Sequence, residues 1–365
     1  MKTSLRKKMG VVIMASILSI TSFGQVFQKV GNGLSTSSSY TFGEKAITVN
    51  GEVYVGYENS STNNSIVERW DGLAWHQYPK IKYSTILDIE VYNNDLYVAA
   101  RNYITGANVY KFDGTNWVPI FSNLSGAVNS LEVHNGVLLC GGSFTEGTSL
   151  AKNLVGYNGS SISTYPPLDQ TDSIQNISII NNEIWISGQL GGYSSSDTVQ
   201  VKKLAGGTNW VHPAIAHNPP TAWSYGHLVF QYNNKVYSSE SGGLYEIRND
   251  TAHFISSVSA NSVAEQNGNI YMAQRWGNQS LYLFDGTSVV QVLGAPKLVR
   301  AVTNANNLLY GVFSDTGKVN GLDYRHVFKG SPSYGMMHGK TFVDNNGNCT
   351  YEASVDEPTR MMRIS

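Results

Sequence analysis

Asparagine-rich polar pairs interrupt runs of alternating apolar and polar residues along the chain. VNGEVYVG (Asn50), YNNDLYVA (Asn93), HNGVLLCG (Asn135), INNEIWIS (Asn181), YNNKVYSS (Asn233), QNGNIYMA (Asn267) and ANNLLYGV (Asn306) make seven copies, 43, 42, 46, 52, 34 and 39 residues apart. A two-residue hairpin that follows the right-handed twist of its strands needs φ > 0 at both central positions, which Asn, Asp and Gly tolerate. Around the second copy the flanks alternate, with Ile89 and Val91 before the turn and Leu96, Val98 and Ala100 after it. The pattern predicts a β-hairpin at each copy.

A second turn series interleaves with the first: RWDGLAW (Asp71), KFDGTNW (Asp113), GYNGSSI (Asn158), KLAGGTNW (Gly206), EIRNDTA (Asn249), LFDGTSV (Asp285) and VFKGSPS (Lys329). Two hairpins per repeat make four short strands, and a four-stranded unit recurring at about 40 to 50 residues is the signature of a propeller blade. No window keeps a helical i, i+3, i+4, i+7 stripe for three turns. The expected fold is therefore all-β, a seven-bladed β-propeller with four-stranded blades, plus a truncated β-sandwich fragment at the C-terminus. The blades are expected at roughly 40–80, 84–122, 126–166, 172–216, 222–257, 260–294 and 297–335. VFQKVGNGL (26–34) precedes the first turn and is expected to complete the last blade, closing the ring and removing its open edges. Trp75, Trp117 and Trp210 recur just past the outer turns and are expected to pack between blades.

Both ends depart from the repeat. Residues 1–24 carry Lys2, Arg6, Lys7 and Lys8, then an apolar stretch from Met9 to Ile20, then Ser22-Phe23-Gly24. This is the form of a signal peptide, with cleavage expected before Gln25 and no membrane span afterwards. The propeller is assigned to 25–337 and an incomplete calcium-loop module to 338–365. In GKTFVDNNGNCTYE, the oxygens of Asp344, Asn346, Asn348, Thr350 (through its carbonyl) and Glu352 fall at alternate positions, a spacing that lets them converge on calcium, the one cofactor expected. Val355 stands where a bidentate carboxylate belongs in such a loop, leaving Asp356 or Glu357 to supply one.

Composition narrows the chemistry. Without its first 24 residues the chain has 21 Lys and Arg against 26 Asp and Glu, with no basic cluster, which excludes a nucleic-acid role. Cys140 and Cys349 are too few for a disulfide framework, and Cys140, in VLLCGG, reads as a small buried side chain. The eight histidines show no metal-ligand spacing, and no GxSxG, P-loop or SxxK motif is present. Binding is instead expected on segments that do not repeat: 59–65 with Asn59 and Asn63, 191–197 with Tyr193 and Asp197, and 212–223 with His212, His217 and Trp223.

ERWDGLAW and YKFDGTNW, each after an Asn hairpin, resemble the repeats of secreted kelch-like or galactose-oxidase-like β-propellers of Gram-negative bacteria. GKTFVDNNGNCTYE resembles the opening strand and calcium loop of SdrD B-like modules of the prealbumin-like type. The first resemblance implies a secreted or cell-surface location and says little of the ligand. The second implies Asp344, Asn346, Asn348 and Glu352 as calcium ligands. Chains of this kind often end in a type IX secretion sorting domain, so a truncated gene product or fragment is expected. Copper oxidation does not carry over, because Cys140 has no local partner. The leading reading is a monomeric, non-catalytic propeller binding an extracellular protein or glycan. The alternative is an extracellular polysaccharide hydrolase or lyase, marked by paired carboxylates at the central mouth. A third reading is a purely structural spacer.

Overall fold

The computed structural model describes residues 25–35, 41–59, 62–102, 106–121, 124–147, 149, 151–169, 172–190, 199–212, 214–215, 226–274, 281–292, 294–314, 318–319, 322–323, 325–332, 342–343 and 357–358. The chain divides into Gln25–Pro332 and a second unit of Met1–Gly24 with Ser333–Ser365. The first unit is a ring of seven blades, and no helix occurs among the described residues. Blade 1 shows the plan, with antiparallel strands a (Thr41–Val49), b (Glu52–Asn59), c (Asn64–Trp70) and d (Trp75–Gln77). The a strands wall the axis. In blades 2 to 7 they are Ser84–Tyr92, Ala127–His134, Ser173–Ile180, Gly226–Tyr232, Ser262–Gln266 and Val299–Ala305.

All seven a–b hairpins turn on the expected Asn, each at φ between 49° and 52°, and the next residue also has positive φ, from Asn234 at 59° to Gly51 at 82°. Two outer c–d turns, Gly206-Gly207 and Asn249-Asp250, repeat this pair of positive φ values, while four others use a different device. Asp113 Oδ1 accepts the backbone N–H groups of Thr115 (2.8 Å) and Asn116 (2.7 Å), and Asp71, Asn158 and Asp285 make the same pair of bonds in their own turns. Those backbone bonds hold the Asp113 carboxyl below the usual carboxylate range.

Three expectations need correction. Lys329 is no turn: it lies within Val327–Pro332, strand c of blade 7, because the d strand of that blade comes from the other end of the chain. Gln25–Lys29 pairs antiparallel with it, from Gln25↔Pro332 to Lys29↔Phe328, which is the closure expected of the N-terminal segment. Residues 214–215, assigned above to blade 4, instead add a fifth strand to blade 5, parallel to its outermost strand (Ala214↔Thr251, Ile215↔Ala252). The open edge of a d strand accepts any extended passing segment, and no turn residue announces this. Finally, the b strands are buried on both faces rather than alternately, as in Leu96 to Ala100, because each sheet is covered by a blade on either side.

The core is accordingly distributed. Seven apolar clusters among the described residues fill the seven blade-to-blade interfaces, for example Tyr54, Val67, Ile86, Ile89 and Val98 between blades 1 and 2. Cys140 is fully buried at the 2–3 interface, which pushes its thiol pKa up. The recurring tryptophans behave as expected. Trp75, Trp117 and Trp210 donate their indole N–H to the carbonyls of Val30 (3.1 Å), Pro79 (2.7 Å) and Pro166 (2.9 Å), each on the segment leaving the neighbouring blade.

After Lys29 the N-terminal segment crosses the seam onto blade 1. Val30 and Leu34 are fully buried among Tyr57, Trp70 and Val327. Gly31 makes the crossing with φ at 52°, where a Cβ would come within 2.6 Å of the Trp70 ring. Ser35 then donates its backbone N–H (2.9 Å) and hydroxyl (3.2 Å) to the fully buried Glu68 carboxylate, which also accepts the Tyr57 hydroxyl.

Candidate functional site

Strand direction gives the ring two unlike faces. The a–b and c–d turns share one, the turn face. The b–c and d–a connections share the other, the loop face. Two of the segments singled out by their failure to repeat are bounded at both ends by strand ends on the loop face, Asn59 and Asn64 in blade 1 and Leu190 and Val199 in blade 4. The third reaches that face at Gly226 but leaves blade 4 at Val211, opposite Lys203 and near the turn face, where Ala214 then pairs with Thr251 beside the outer turn of blade 5. Asn59 is half-buried and its carbonyl accepts Thr62 N–H (3.1 Å). Asn63 is exposed at φ 52°, its carbonyl accepting Ser84 N–H (3.0 Å) from blade 2. His212 is exposed just past strand d of blade 4. Tyr193, Asp197, His217 and Trp223 lie outside the described residues, as do Asp344, Asn346, Asn348, Thr350 and Glu352.

In three blades one side chain in a fixed place laces the a strand to its neighbour around the axis. Counted back five residues from each turn asparagine stand Asp88, Ser130 and Ser262, and each accepts a backbone N–H from the a strand of the next blade: Leu131 (2.9 Å), Ile177 (3.0 Å) and Val302 (3.0 Å). Lys45, in the same place in blade 1, pairs with Asp88 at 3.4 Å. Ser178 Oγ lies 2.6 Å from the Val229 carbonyl of blade 5, and Thr48 and Thr303 join their hydroxyls at 2.8 Å across the blade 7 to 1 seam.

Two residues further along, Glu90 and Glu132 occupy equivalent places in blades 2 and 3, both half-buried. Glu90 accepts its neighbour's backbone N–H, from Val91, at 2.8 Å. Burial, then the negative charge of Asp88, pushes Glu90 up to about 7. Burial, then the charges of Glu90 and Asp88, pushes Glu132 up to about 8. Both carboxyls are thus pushed toward their protonated forms, and a protonated carboxyl donates as well as accepts a hydrogen bond. The sequence held a signal for this pair, since aligning the repeats on their turn asparagines puts Glu90 and Glu132 in one column. Among the described residues no group of three or more His, Cys, Asp or Glu converges as a metal site.

No protein-family model matches the chain, and no curated protein matches it in sequence. Solved structures do match. The extracellular domain of the putative one component system BT4673 from B. thetaiotaomicron aligns with TM-score 0.59 at 12% identity, covering 87% of this chain and 41% of that one. The likeness is one of fold. The chain thus spans less than half of that domain. The computationally designed Ika8 protein and YCF48 from Cyanidioschyzon merolae align at TM-score 0.52 and 12% identity, covering 84% of this chain and 97% and 99% of theirs. A designed protein and a natural one sharing the ring means that the ring by itself prescribes no ligand. No helix among the described residues is long and apolar enough to cross a membrane.

Proposed function

We propose that the chain is an extracellular or cell-surface, non-catalytic binding propeller whose partner, a protein or glycan, is held on the loop face. One observation carries this reading: two of the three segments that break the repeat are bounded at both ends by strand ends on that face and the third returns to it at Gly226, while four of the outer turns opposite spend their Asp or Asn side chains on their own backbone. Variable connections on a rigid scaffold are where binding residues concentrate. The extracellular setting of the BT4673 domain supports the location. A glycan array probed with the chain from Gln25 onward is expected to bind a defined glycan class, and Asn59→Ala with Asn63→Ala to weaken it by about tenfold or more. No binding to any glycan, with no extracellular protein captured by crosslinking, overturns the reading. The Glu90 and Glu132 pair favours a second reading, a polysaccharide-active enzyme in which Glu132 supplies a proton. Release of sugar from a polysaccharide, abolished by Glu132→Gln, would replace the first reading with this one.

For the C-terminal unit we propose calcium binding by Asp344, Asn346, Asn348, the Thr350 carbonyl and Glu352. Phe342–Val343 pairs antiparallel with Glu357–Pro358 (Phe342↔Pro358, Val343↔Glu357), so the two ends of the segment carrying these residues are tied together. Calorimetric titration of the full chain with calcium should show one site, lost in Asp344→Ala with Glu352→Ala. An unchanged heat in that variant removes the proposal.

A further inference from the structure

At three interfaces the residue before the turn asparagine bridges the gap between neighbouring a–b turns. At the 2–3 and 5–6 interfaces it is tyrosine, and Tyr92 and Tyr232 donate their hydroxyls to the carbonyls of Gly136 (2.8 Å) and Gly268 (2.5 Å) in the next blade's turn. At the 6–7 interface Gln266 does the same to the Asn307 carbonyl (2.7 Å). At the 1–2 interface the residue is Val49, too short to cross, and among the described residues no side chain bonds the Asn94 carbonyl. A groove of about 510 Å³ stays open there on the turn face. This lies within the roughly 300 to 1,000 Å³ of small-molecule sites.

Its lining has a definite chemistry. Tyr54, Tyr78 and Phe112 line it with aromatic surface, the last two edge to face at 5.0 Å. Trp117 fixes that surface from beside it, 5.4 Å from Phe112 and 6.0 Å from Tyr78, with its indole held by Pro79. Charge around the rim is spent internally: Lys111 pairs with Asp95 at 2.6 Å, and Asp113 Oδ1 is committed to its own turn. The Asn50 and Asn94 amides and Asp113 Oδ2 make no bond among the described residues. Amides donate and accept, carboxylate oxygens accept, and aromatic rings cover apolar faces, a combination that matches a polyhydroxylated ring with C–H faces and offers an ion no strong counter-charge.

The geometry points to a second binding site in this groove, between blades 1 and 2 on the turn face, for a neutral carbohydrate. It is distinct from the loop-face surface proposed above and stands or falls separately. The natural control is to close the groove as the 2–3 and 5–6 interfaces are closed. With cellohexaose, laminarihexaose and xylohexaose as probes in calorimetry on the full chain, at least one should bind. Val49→Tyr should weaken that binding by about tenfold or more while the melting temperature stays at or above the parent's. Tyr78→Ala should also weaken it, whereas the loop-face variant Asn59→Ala with Asn63→Ala should leave it unchanged. Binding that survives Val49→Tyr in the folded variant, binding lost only in the loop-face variant, or no binding of any of the three sugars overturns the site. The second of these results would at the same time support the loop-face reading.

Discussion

A chain that starts at Thr36 is expected to lose its cooperative unfolding transition. The missing residues supply strand d of blade 7 and the crossing to blade 1. Phe27 packs edge to face on Phe328 at 5.2 Å, and Val30 and Leu34 are fully buried. Each such side chain contributes about 1.5 to 3 kcal/mol on burial. The Trp75 indole would lose its acceptor, and Glu68, fully buried, would keep only the Tyr57 hydroxyl after losing both donors from Ser35. Leaving a buried carboxylate short of partners costs about 1 to 3 kcal/mol or more. Together these losses reach the roughly 5 to 15 kcal/mol that holds a typical domain folded, and they expose the edge of Val327–Pro332 to other chains. Calorimetry should show no sharp transition for the shortened chain, with aggregation in its place. Adding residues 25–35 as a peptide should restore the transition. A shortened chain that melts cooperatively within a few degrees of the parent would show that the seam does not hold the ring.

The second large effect is on pH. Glu90 and Glu132 have folded-state pKa values raised to about 7 and 8, and Glu240, buried in blade 5 beside Ser238 (3.1 Å), is raised by burial to about 7. A raised folded value means that the folded state binds its proton more tightly than the unfolded one. The stability these groups add is full below their ordinary carboxyl range and is lost as pH climbs through 7 to 8. The melting temperature should therefore fall between pH 6 and pH 9, opposite to the usual trend for paired carboxylates. Lys45, the cation facing this group, is tied to Asp88 and does not cancel it. Glu132→Gln removes the most shifted group and relieves Glu90. Each pKa unit corresponds to about 1.4 kcal/mol, so after allowance for partial solvent access the variant should gain roughly 2 kcal/mol at pH 8.5 and almost nothing at pH 5. Scanning calorimetry across that range checks it, and a parent protein that grows more stable from pH 6 to pH 9 refutes it.

The turns were the legible part of the sequence because their chemistry is local. A backbone with two successive positive φ values asks for Asn or Gly wherever it occurs, so the inner hairpins could be counted without knowing what surrounds them. The misread places depend on distant partners. VFKG has the look of an outer turn, yet the chain needs none there because the strand that would follow was already made at the other end. Ala214 and Ile215 carry no mark of the edge they join. The candidate sites were the least legible, because a site on a ring is assembled across blades. Glu90 with Glu132, and Val49 beside Tyr92 and Tyr232, become informative only when repeats are compared column by column and the odd member is asked what it leaves undone.

The seam between the ends also sets an order of events. Emerging N-terminus first from a ribosome or a membrane pore, Gln25–Lys29 appears roughly 300 residues before Val327–Pro332, so six blades can form while the first-made strand waits unpaired. Ring closure is the last native contact available to the propeller. Until the seventh blade arrives the polypeptide remains an open arc, and the strand made first is the one that finishes the fold.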